Sequence, residues 1–286
     1  MLTAILTAVG FFAIIGVIVG VLLAIAAHIF AVKQDPRVAE VLACLPGANC
    51  GGCGYAGCAA VAEGIVKGEL KVSTCPVGGA AAAQKIGAIM GVEAGPTVRM
   101  RAQVMCSGSR GIAQKKYAYD GARDCVAASR LGGGDKLCPN GCIGLGTCAE
   151  ICPFDAIEVK NGVAAVDYRK CRGCGLCTEA CPKHIIKLVP FDAAYWVGCS
   201  SVDKGAQTRK YCDAGCISCK MCEKACEHGA IHVNDFVASI DYEKCVGCGK
   251  CEAACPRKII WSAEKQRRMG VALSEGDIPE EEKEKR

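Results

Sequence analysis

Residues 171–182 read C-R-G-C-G-L-C-T-E-A-C-P, and residues 245–256 read C-V-G-C-G-K-C-E-A-A-C-P. Both follow the spacing C-x2-C-x2-C-x3-C-P, which places several thiols on one short loop. Such a run suits the corners of a cuboidal iron–sulfur cluster, whereas a disulfide needs a particular separation and direction between two cysteines. The runs therefore predict tetranuclear iron–sulfur sites rather than disulfides.

The composition agrees with this interpretation. The chain has 286 residues and 25 cysteines but only 2 tryptophans and 5% aromatic residues, so conventional side-chain cores must be small. Zinc is the main rival for such dense cysteines. Structural zinc sites, however, use two separated C-x2-C pairs and have no use for a crossed fourth cysteine.

The N-terminus is one long apolar segment. Residues 2–32 contain no Asp, Glu, Lys or Arg, and about 20 apolar residues are enough to span a membrane as a helix. A cleaved signal peptide would begin with positive charge and have a shorter apolar region. Lys33 and Arg37 follow the segment, so the positive-inside tendency predicts one span of a prokaryotic inner membrane, with residues 33–286 in the cytoplasm.

An internal duplication organises residues 106–260. Sliding the chain on itself without a gap, so that Cys171 falls on Cys245, superimposes nine cysteines of one copy on nine of the other. The segments 156–167 and 230–241 each predict two short strands around a turn. The superimposed residues are Cys125, Cys138, Cys142, Cys148, Cys152, Cys171, Cys174, Cys177 and Cys181 in the first copy and Cys199, Cys212, Cys216, Cys222, Cys226, Cys245, Cys248, Cys251 and Cys255 in the second.

The expected fold class is α+β, with one N-terminal transmembrane helix, a small Cys-rich iron–sulfur domain and two tandem ferredoxin-like two-cluster units. The expected boundaries are a transmembrane helix at 1–32, a 4Fe-4S domain at 33–78, a linker with a short helix at 79–105, ferredoxin-like units at 106–190 and 191–262, and a charged, solvated tail at 263–286.

In two-cluster ferredoxins, three cysteines of each run bind one cluster and the fourth crosses to the other. Applied here, this rule predicts three complete sites, which are Cys216, Cys219, Cys222 and Cys255; Cys245, Cys248, Cys251 and Cys226; and Cys171, Cys174, Cys177 and Cys152. A fourth site keeps Cys142, Cys148 and Cys181 but lacks its middle ligand, because Leu145 stands where the second copy has Cys219.

The N-terminal domain offers a fifth set, Cys50, Cys53, Cys58 and Cys75, in glycine-rich surroundings where backbone amides can approach a cluster. Cys44 precedes this set and is expected to be an ordinary buried thiol.

Five cysteines remain, namely Cys106, Cys125, Cys138, Cys199 and Cys212. One of them must complete the site at Leu145. In the economical hypothesis Cys106 completes it. The two pairs of cysteines that the duplication superimposes, Cys125 with Cys199 and Cys138 with Cys212, then build a sixth 4Fe-4S site between the copies. In a variant Cys138 completes the site at Leu145 and Cys106 joins the sixth. Both place Cys125, Cys199 and Cys212 on the sixth site; buried free thiols are the alternative.

Other chemistry is not indicated. The glycines of 141–146 do not form G-x-G-x-x-G after a strand, so no nicotinamide site is expected, and the histidines form no spaced pair. No catalytic residue and no nucleic-acid partner are expected. Residues 99–136 hold eight Lys or Arg against three Asp, which makes them a candidate docking surface for an acidic protein such as ferredoxin, or else a solvated face.

Two stretches, L-P-G-A-N-C-G-G-C-G-Y-A-G-C (45–58) and G-C-I-G-L-G-T-C-A-E-I-C-P-F-D-A-I (141–157), together with the apolar helix, closely resemble the B subunit of the Rnf complex. The resemblance covers nearly the whole chain. It implies membership of a membrane ferredoxin:NAD+ oxidoreductase that translocates Na+ or H+. The subunit would accept electrons from reduced soluble ferredoxin and relay them toward flavoprotein and membrane subunits, with the nicotinamide site on another subunit. Shorter family members carry one two-cluster unit, whereas this chain carries two.

Two rival functions stay open on the sequence. One is a polyferredoxin subunit of another membrane oxidoreductase, such as a hydrogenase or a heterodisulfide-reductase-like assembly. The other is a membrane redox sensor without catalytic turnover. Neighbouring genes for six-helix membrane proteins and a flavoprotein would favour an Rnf-type subunit over both rivals.

Overall fold

The protein is described by a computed structural model of residues 2–29 and 35–262. Helix α1 (Leu2–Ile29) is apolar along its length, and the side chains of its central stretch, Val9–Ala26, are not buried by the rest of the chain. Exposed apolar surface of this extent is what a lipid-facing helix presents. Among the described residues, α1 alone is long and apolar enough to cross a membrane. The predicted charged tail lies outside the described residues.

Three short helices form the N-terminal domain: α2 (Pro36–Cys44), α3 (Cys58–Val66) and α4 (Gly79–Met90). The side-chain oxygen of Asn49 accepts a hydrogen bond from the Cys58 amide at 2.8 Å and fixes the start of α3. The core between the helices is small and aliphatic. It contains Val41, Leu45, Val61, Ala62, Ile65 and Ile86.

The first ferredoxin-like unit consists of two antiparallel strand pairs and three short helices. Its elements are β1 (Met100–Val104), α5 (Cys125–Arg130), α6 (Thr147–Glu150), β2 (Ile157–Lys160), β3 (Val163–Val166), α7 (Leu176–Ala180) and β4 (Ile186–Pro190). Strand β1 pairs with β4, and β2 pairs with β3. The predicted hairpin is present, and both of its turn residues, Asn161 and Gly162, have the positive φ that a type I′ turn requires.

The second unit repeats this plan. Its elements are β5 (Tyr195–Val197), α8 (Gly205–Tyr211), α9 (Met221–Lys224), β6 (Ile231–Asn234), β7 (Val237–Ile240), α10 (Lys250–Ala254) and β8 (Ile260–Ser262). Strand β5 pairs with β8 and β6 with β7, again antiparallel. Each unit therefore closes its first strand onto its last, with the hairpin and the cysteine loops between them.

The structure differs from the expected linker at 79–105. Helix α4 is the short helix predicted there, but residues 100–104 form β1 and pair with β4 along its whole length. The first ferredoxin-like unit thus begins near residue 100 instead of 106. A single short strand carries no periodic signal in the sequence, and its pairing partner β4 lies at the far end of the unit.

The two units are related by two different offsets along the chain. The shift that superimposes Ile186 of β4 on Ile260 of β8 is the one that superimposes the later cysteines. Ile186 pairs with Val104 of β1, and Ile260 pairs with Val197 of β5. Val104 and Val197 are further apart in the chain than Ile186 and Ile260, so a larger shift is needed to superimpose them. The first unit consequently has a longer segment between its first strand and its hairpin. A comparison without gaps aligns the later cysteines correctly but matches Cys199, which lies just after the first strand of its unit, with Cys125 instead of Cys106.

Candidate metal centres

All 25 cysteines lie in the described residues, and all are free thiols. In that part of the chain no three Cys, His, Asp or Glu side chains converge closely enough to hold a single metal ion. The cysteines instead line five cavities in groups of four. This spacing suits a polynuclear cluster, whose ligands sit at separate corners, better than a tetrahedral zinc ion.

The N-terminal site, Cys50, Cys53, Cys58 and Cys75, surrounds a cavity with about 330 Å³ of empty space. This volume and those given below include the space that is open to solvent at the mouth of each cavity. Glycine-rich backbone lines part of its wall, as expected from the sequence. The amide of Gly78 donates a hydrogen bond to the Cys75 sulfur at 3.4 Å, the type of contact that stabilises a thiolate ligand. Cys44 packs against the apolar core of this domain and does not line the cavity.

Site A brings together the predicted Cys152, Cys171, Cys174 and Cys177. Burial raises the pKa of the Cys177 thiol to about 12, and the other three cysteines add to the rise through their proximity. Backbone amides donate to two of these sulfurs: Ala102 to Cys171 at 3.3 Å, and Ala156 to Cys152 at 3.4 Å.

Site B is the site that lacks a ligand at Leu145, and the structure places Cys125 there. Cys125, Cys142, Cys148 and Cys181 line one cavity of about 350 Å³. The Cys125 amide donates to the Thr147 hydroxyl at 2.7 Å, which fixes the start of α5 beside Cys148. This placement contradicts both sequence hypotheses, which completed the site with Cys106 or Cys138 and put Cys125 on the sixth site.

Sites C and D in the second unit have the predicted membership. Cys216, Cys219, Cys222 and Cys255 line a cavity of about 340 Å³. Cys226, Cys245, Cys248 and Cys251 line another of about 360 Å³. Cys219 and Cys248 are exposed, the only two exposed cysteines of the chain. Sites C and D are therefore open to solvent on one side.

The last four cysteines, Cys106, Cys138, Cys199 and Cys212, line a cavity between the two units, here called the seam site. Its volume, about 340 Å³, equals that of site C. Cys199 and Cys212 were expected together and are found together. Cys106 and Cys138 accompany them, whereas Cys125 does not.

Four short contacts link five of these sites in order, from the N-terminal site through sites A and B and the seam site to site C. A Cβ added to Gly52 would lie 2.5 Å from the Cys174 carbonyl oxygen, so the N-terminal site abuts site A. Cys177 of site A influences Cys148 of site B electrostatically. The Cys142 amide of site B donates to the Cys106 sulfur at 3.4 Å, and the Cys216 amide of site C donates to the Cys199 sulfur at 3.3 Å.

Burial is the main cause of the raised thiol pKa values at these sites. It raises the pKa of Cys148 and Cys222 to about 12 and that of Cys251 to about 11. Buried thiols therefore keep their protons at neutral pH unless a nearby cation stabilises the thiolate. Bound iron supplies that charge, and a coordinating thiol is then deprotonated outright. The donor set, its grouping in fours and the amide hydrogen bonds together fit tetranuclear clusters.

Sequence reasoning missed the equivalence of Cys106 and Cys199. Both sit in the pattern V-x-C-S, at residues 104–107 and 197–200, directly after the first strand of their unit. A comparison that allowed a gap between the strand and the later cysteines would have matched them. The ungapped shift matched Cys199 with Cys125 instead.

Sequence reasoning also placed two buried cations on the surface. Within the basic stretch 99–136, Arg101 is 3% exposed and Lys136 is 5% exposed. Asp135 is buried as well and pairs with Lys115 at 2.6 Å. The solvated part of the stretch is thus smaller than its composition suggests.

Family models match three parts of the chain. An Fe-S cluster family covers residues 45–77, and two models described as 4Fe-4S dicluster domains cover residues 135–188 and 215–259. These ranges contain the N-terminal site and the ferredoxin-type runs. Cys106, Cys125, Cys199 and Cys212 lie outside all three.

Curated relatives match along most of the chain. The B subunit of the Na(+)-translocating ferredoxin:NAD(+) oxidoreductase complex of Acetobacterium woodii is 48% identical over 86% of this chain and 74% of its own length. The B subunit of the ion-translocating oxidoreductase complex of Methanosarcina acetivorans is 42% identical over 86% and 94%. The B subunit of the proton-translocating ferredoxin:NAD(+) oxidoreductase complex of Clostridium ljungdahlii is 40% identical over 81% and 82%. The chain therefore belongs to the Rnf family of ion-translocating oxidoreductase B subunits, with an electron-transfer role in such a complex.

Proposed function

We propose that this subunit accepts electrons from reduced ferredoxin and relays them through 4Fe-4S clusters toward partner subunits that reduce NAD+ and pump Na+ or H+. The observation that carries the proposal is the succession of cysteine-lined cavities from the second unit through the first unit to the N-terminal domain, which is the domain next to α1 in the chain. The nicotinamide site belongs to a partner.

The residues of the chain contribute ligands and surroundings. Twenty cysteines at the N-terminal site and sites A to D supply the thiolates, and backbone amides donate to several of the sulfurs. Tetranuclear clusters bound there exchange one electron at a time at potentials set by charge, hydrogen bonding and exposure. Cys219 and Cys248 are exposed, so sites C and D can also exchange electrons with a partner that lies on the surface of the second unit.

The proposed topology is a single span with its N-terminus outside and residues 33–286 in the cytoplasm. It rests on the uncharged helix and on Lys33 and Arg37 after it. Free thiols in this number also need a reducing compartment. A C-terminal reporter active only in the cytoplasm is the expected result, and periplasmic activity would contradict the topology.

The relay is tested in the intact complex purified from membranes. Ferredoxin-dependent NAD+ reduction should require this subunit, while NAD+ reduction by an artificial donor that reacts directly with the NAD+-reducing partner should not. Stimulation by Na+ would identify Na+ as the pumped ion, and indifference to Na+ would favour H+. An unchanged ferredoxin-dependent rate in a complex that lacks this subunit would refute the proposal.

A further inference from the structure

The seam site has the features of the five sites above but lies where no single ferredoxin motif would put it. Its four cysteines come from both units: Cys106 and Cys138 from the first, Cys199 and Cys212 from the second. Segment 112–114 closes the cavity by pairing with 211–213, with backbone hydrogen bonds of 2.8 Å and 3.0 Å. The site therefore exists only when the two units are docked.

The two halves of the seam make a pair of reciprocal contacts. The Ser107 hydroxyl donates to the Gly198 carbonyl, and the Ser200 hydroxyl donates to the Met105 carbonyl, each at 2.9 Å. In each unit the serine directly follows the equivalent cysteine, and the accepting carbonyl belongs to the residue before that cysteine in the other unit. The two contacts are therefore the same contact with the roles of the units exchanged. This reciprocity shows that the interface repeats one local structure twice, with Cys106 and Cys199 as its equivalent thiols.

Each of these two thiols accepts two backbone amides. The Cys106 sulfur accepts from Gly108 and Cys142 at 3.4 Å. The Cys199 sulfur accepts from Ser201 at 3.4 Å and Cys216 at 3.3 Å. Neutral thiols are weak acceptors and gain little from two donors, whereas a thiolate ligand of a metal cluster is stabilised by them.

One buried cation also lines the cavity. The Lys136 ammonium donates to the Gly108 carbonyl at 2.7 Å and to the Gly162 carbonyl at 2.8 Å, and it forms no ion pair within the described residues. A lysine that is only 5% exposed is costly to bury in its charged form without a negative partner. Four thiolates around a cluster provide one. The equivalent residue of the second unit, Lys210, is exposed.

We propose that Cys106, Cys138, Cys199 and Cys212 hold a sixth 4Fe-4S cluster that connects the two ferredoxin-like units, with Lys136 as the counter-charge that raises its reduction potential. Site B abuts it through Cys142, and site C abuts it through Cys216. This inference rests on the relay proposed above. Each transfer oxidises one cluster by one electron and reduces its neighbour by one, with no bond made or broken and no proton required.

The first test is the iron content of the anaerobically reconstituted full-length chain. Six tetranuclear clusters give about 24 iron atoms per chain and five give about 20. The double variant Cys199→Ser/Cys212→Ser should lose about four iron atoms and one component of the reduced-state EPR spectrum, while the control Cys44→Ser loses neither. An unchanged iron content and spectrum in the double variant would eliminate the seam cluster.

The second test is a potentiometric EPR titration. The EPR signal to follow is the one that disappears in Cys199→Ser/Cys212→Ser. Lys136→Gln should lower the midpoint potential of this signal by at least about 59 mV, which is a tenfold change in the equilibrium constant for one-electron reduction. Lys210→Gln is the matched control and should leave that signal in place. No shift in an iron-replete Lys136→Gln protein would overturn the assigned role of Lys136.

A second variant covers the case in which Lys136→Gln fails to fold. The carboxylate of Asp203 influences Cys138 and accepts a hydrogen bond from the Tyr211 hydroxyl, which an asparagine oxygen can also accept. Asp203→Asn removes a negative charge and should shift the same signal upward. A downward shift, or none, would count against the charge argument. Both tests are independent of ferredoxin, so a chain that binds six clusters but takes no electrons from ferredoxin refutes the relay alone.

Discussion

Cys106 and Cys199 occupy equivalent positions in the two ferredoxin-like units and face the same cavity, although they are far apart in the chain. Each lies two residues beyond a strand that pairs with the last strand of its unit. The duplicated units thus meet through the same loop, and the thiol that each loop carries lines the cavity between the units.

The ligand set of site B gives the first prediction. Cys125→Ser should remove about four of about 24 iron atoms, because Cys125 stands in for the ligand that Leu145 cannot supply. The EPR component that disappears should also differ from the one lost in Cys106→Ser. Iron analysis and EPR of both variants, with Cys44→Ser as the control, check this. If Cys125→Ser and Cys106→Ser removed the same component, the assignment of Cys125 to site B would fail.

The contact between the N-terminal domain and the first unit gives the second. In Gly52→Ala the new methyl group would lie 2.5 Å from the Cys174 carbonyl oxygen and 2.8 Å from its Cβ, so the backbones must separate. Overpacking of this kind costs about 1–3 kcal/mol. Chemical unfolding of the iron-loaded protein measures the loss.

Gly95→Ala is the matched control, since a Cβ at Gly95 meets nothing within 4 Å. We expect its unfolding free energy to stay within about 0.5 kcal/mol of the wild-type value. Equal stability of the two variants would show that Gly52 does not form a tight contact between the domains.

Much of the fold and most of the groupings of cysteines could be predicted because cysteine spacing is a local signal. The triplets of sites A, C and D and the hairpin at Asn161 and Gly162 each lie within about 15 residues of sequence, where short-range geometry decides the structure. Cys125 and Cys106 could not be assigned in this way. Their partners are brought near by the pairing of β1 with β4 and by docking of the two units, which no local pattern encodes.

The same limit applies to charge. Arg101 and Lys136 look like the other basic residues of 99–136, yet they are buried, and their hydrogen-bonded partners are uncharged. Arg101 packs over the Trp196 ring, with 5.2 Å between its guanidinium carbon and the ring centroid. Only the tertiary structure separates these two from the exposed Lys116, Arg123 and Arg130.

The docking surface gives the third prediction. Arg123 and Arg130 are exposed and flank Cys125 of site B, so we expect Arg123→Glu/Arg130→Glu to slow reduction by ferredoxin roughly tenfold at low ionic strength and to weaken its salt dependence. Lys115 is left unchanged because reversing it would place a second negative charge beside the buried Asp135. Stopped-flow kinetics at several salt concentrations measure the effect.

The double reversal Lys67→Glu/Lys85→Glu, on exposed residues of the N-terminal domain, is the control for net charge. An equal loss of rate in the two double variants would mean that total charge, and not this surface, steers ferredoxin. If the arginine variant is reduced by ferredoxin at the wild-type rate, the basic stretch is a solvated surface and not the docking site.

Removal of iron gives the fourth prediction. Cysteines form part of the apolar cores of both ferredoxin-like units, and the binding energy of the clusters is folding energy for such small domains. We expect an iron chelator under reducing conditions to unfold residues 100–262, measured by near-UV circular dichroism and by limited proteolysis. Retention of native near-UV signals after complete iron loss would contradict this.

The pH dependence of any folded iron-free chain follows from the raised thiol pKa values. Burial raises the pKa of Cys148 from 9.0 to about 12, so the folded state holds this proton more tightly than the unfolded chain does. The contribution to stability is present below pH 9 and is lost as the pH rises toward 12. If the iron-free chain keeps its fold, contrary to the fourth prediction, its urea midpoint should fall over this interval. A constant midpoint in such a folded iron-free chain would contradict the burial of these thiols.

The most direct measurement of the relay mixes the iron-loaded full-length chain, in detergent, with reduced ferredoxin and follows the visible absorbance of both proteins. The proposal predicts that ferredoxin is reoxidised while the clusters of this chain are bleached, at a rate that falls as the salt concentration rises. A fully loaded chain whose clusters stay oxidised in the presence of excess reduced ferredoxin would contradict it.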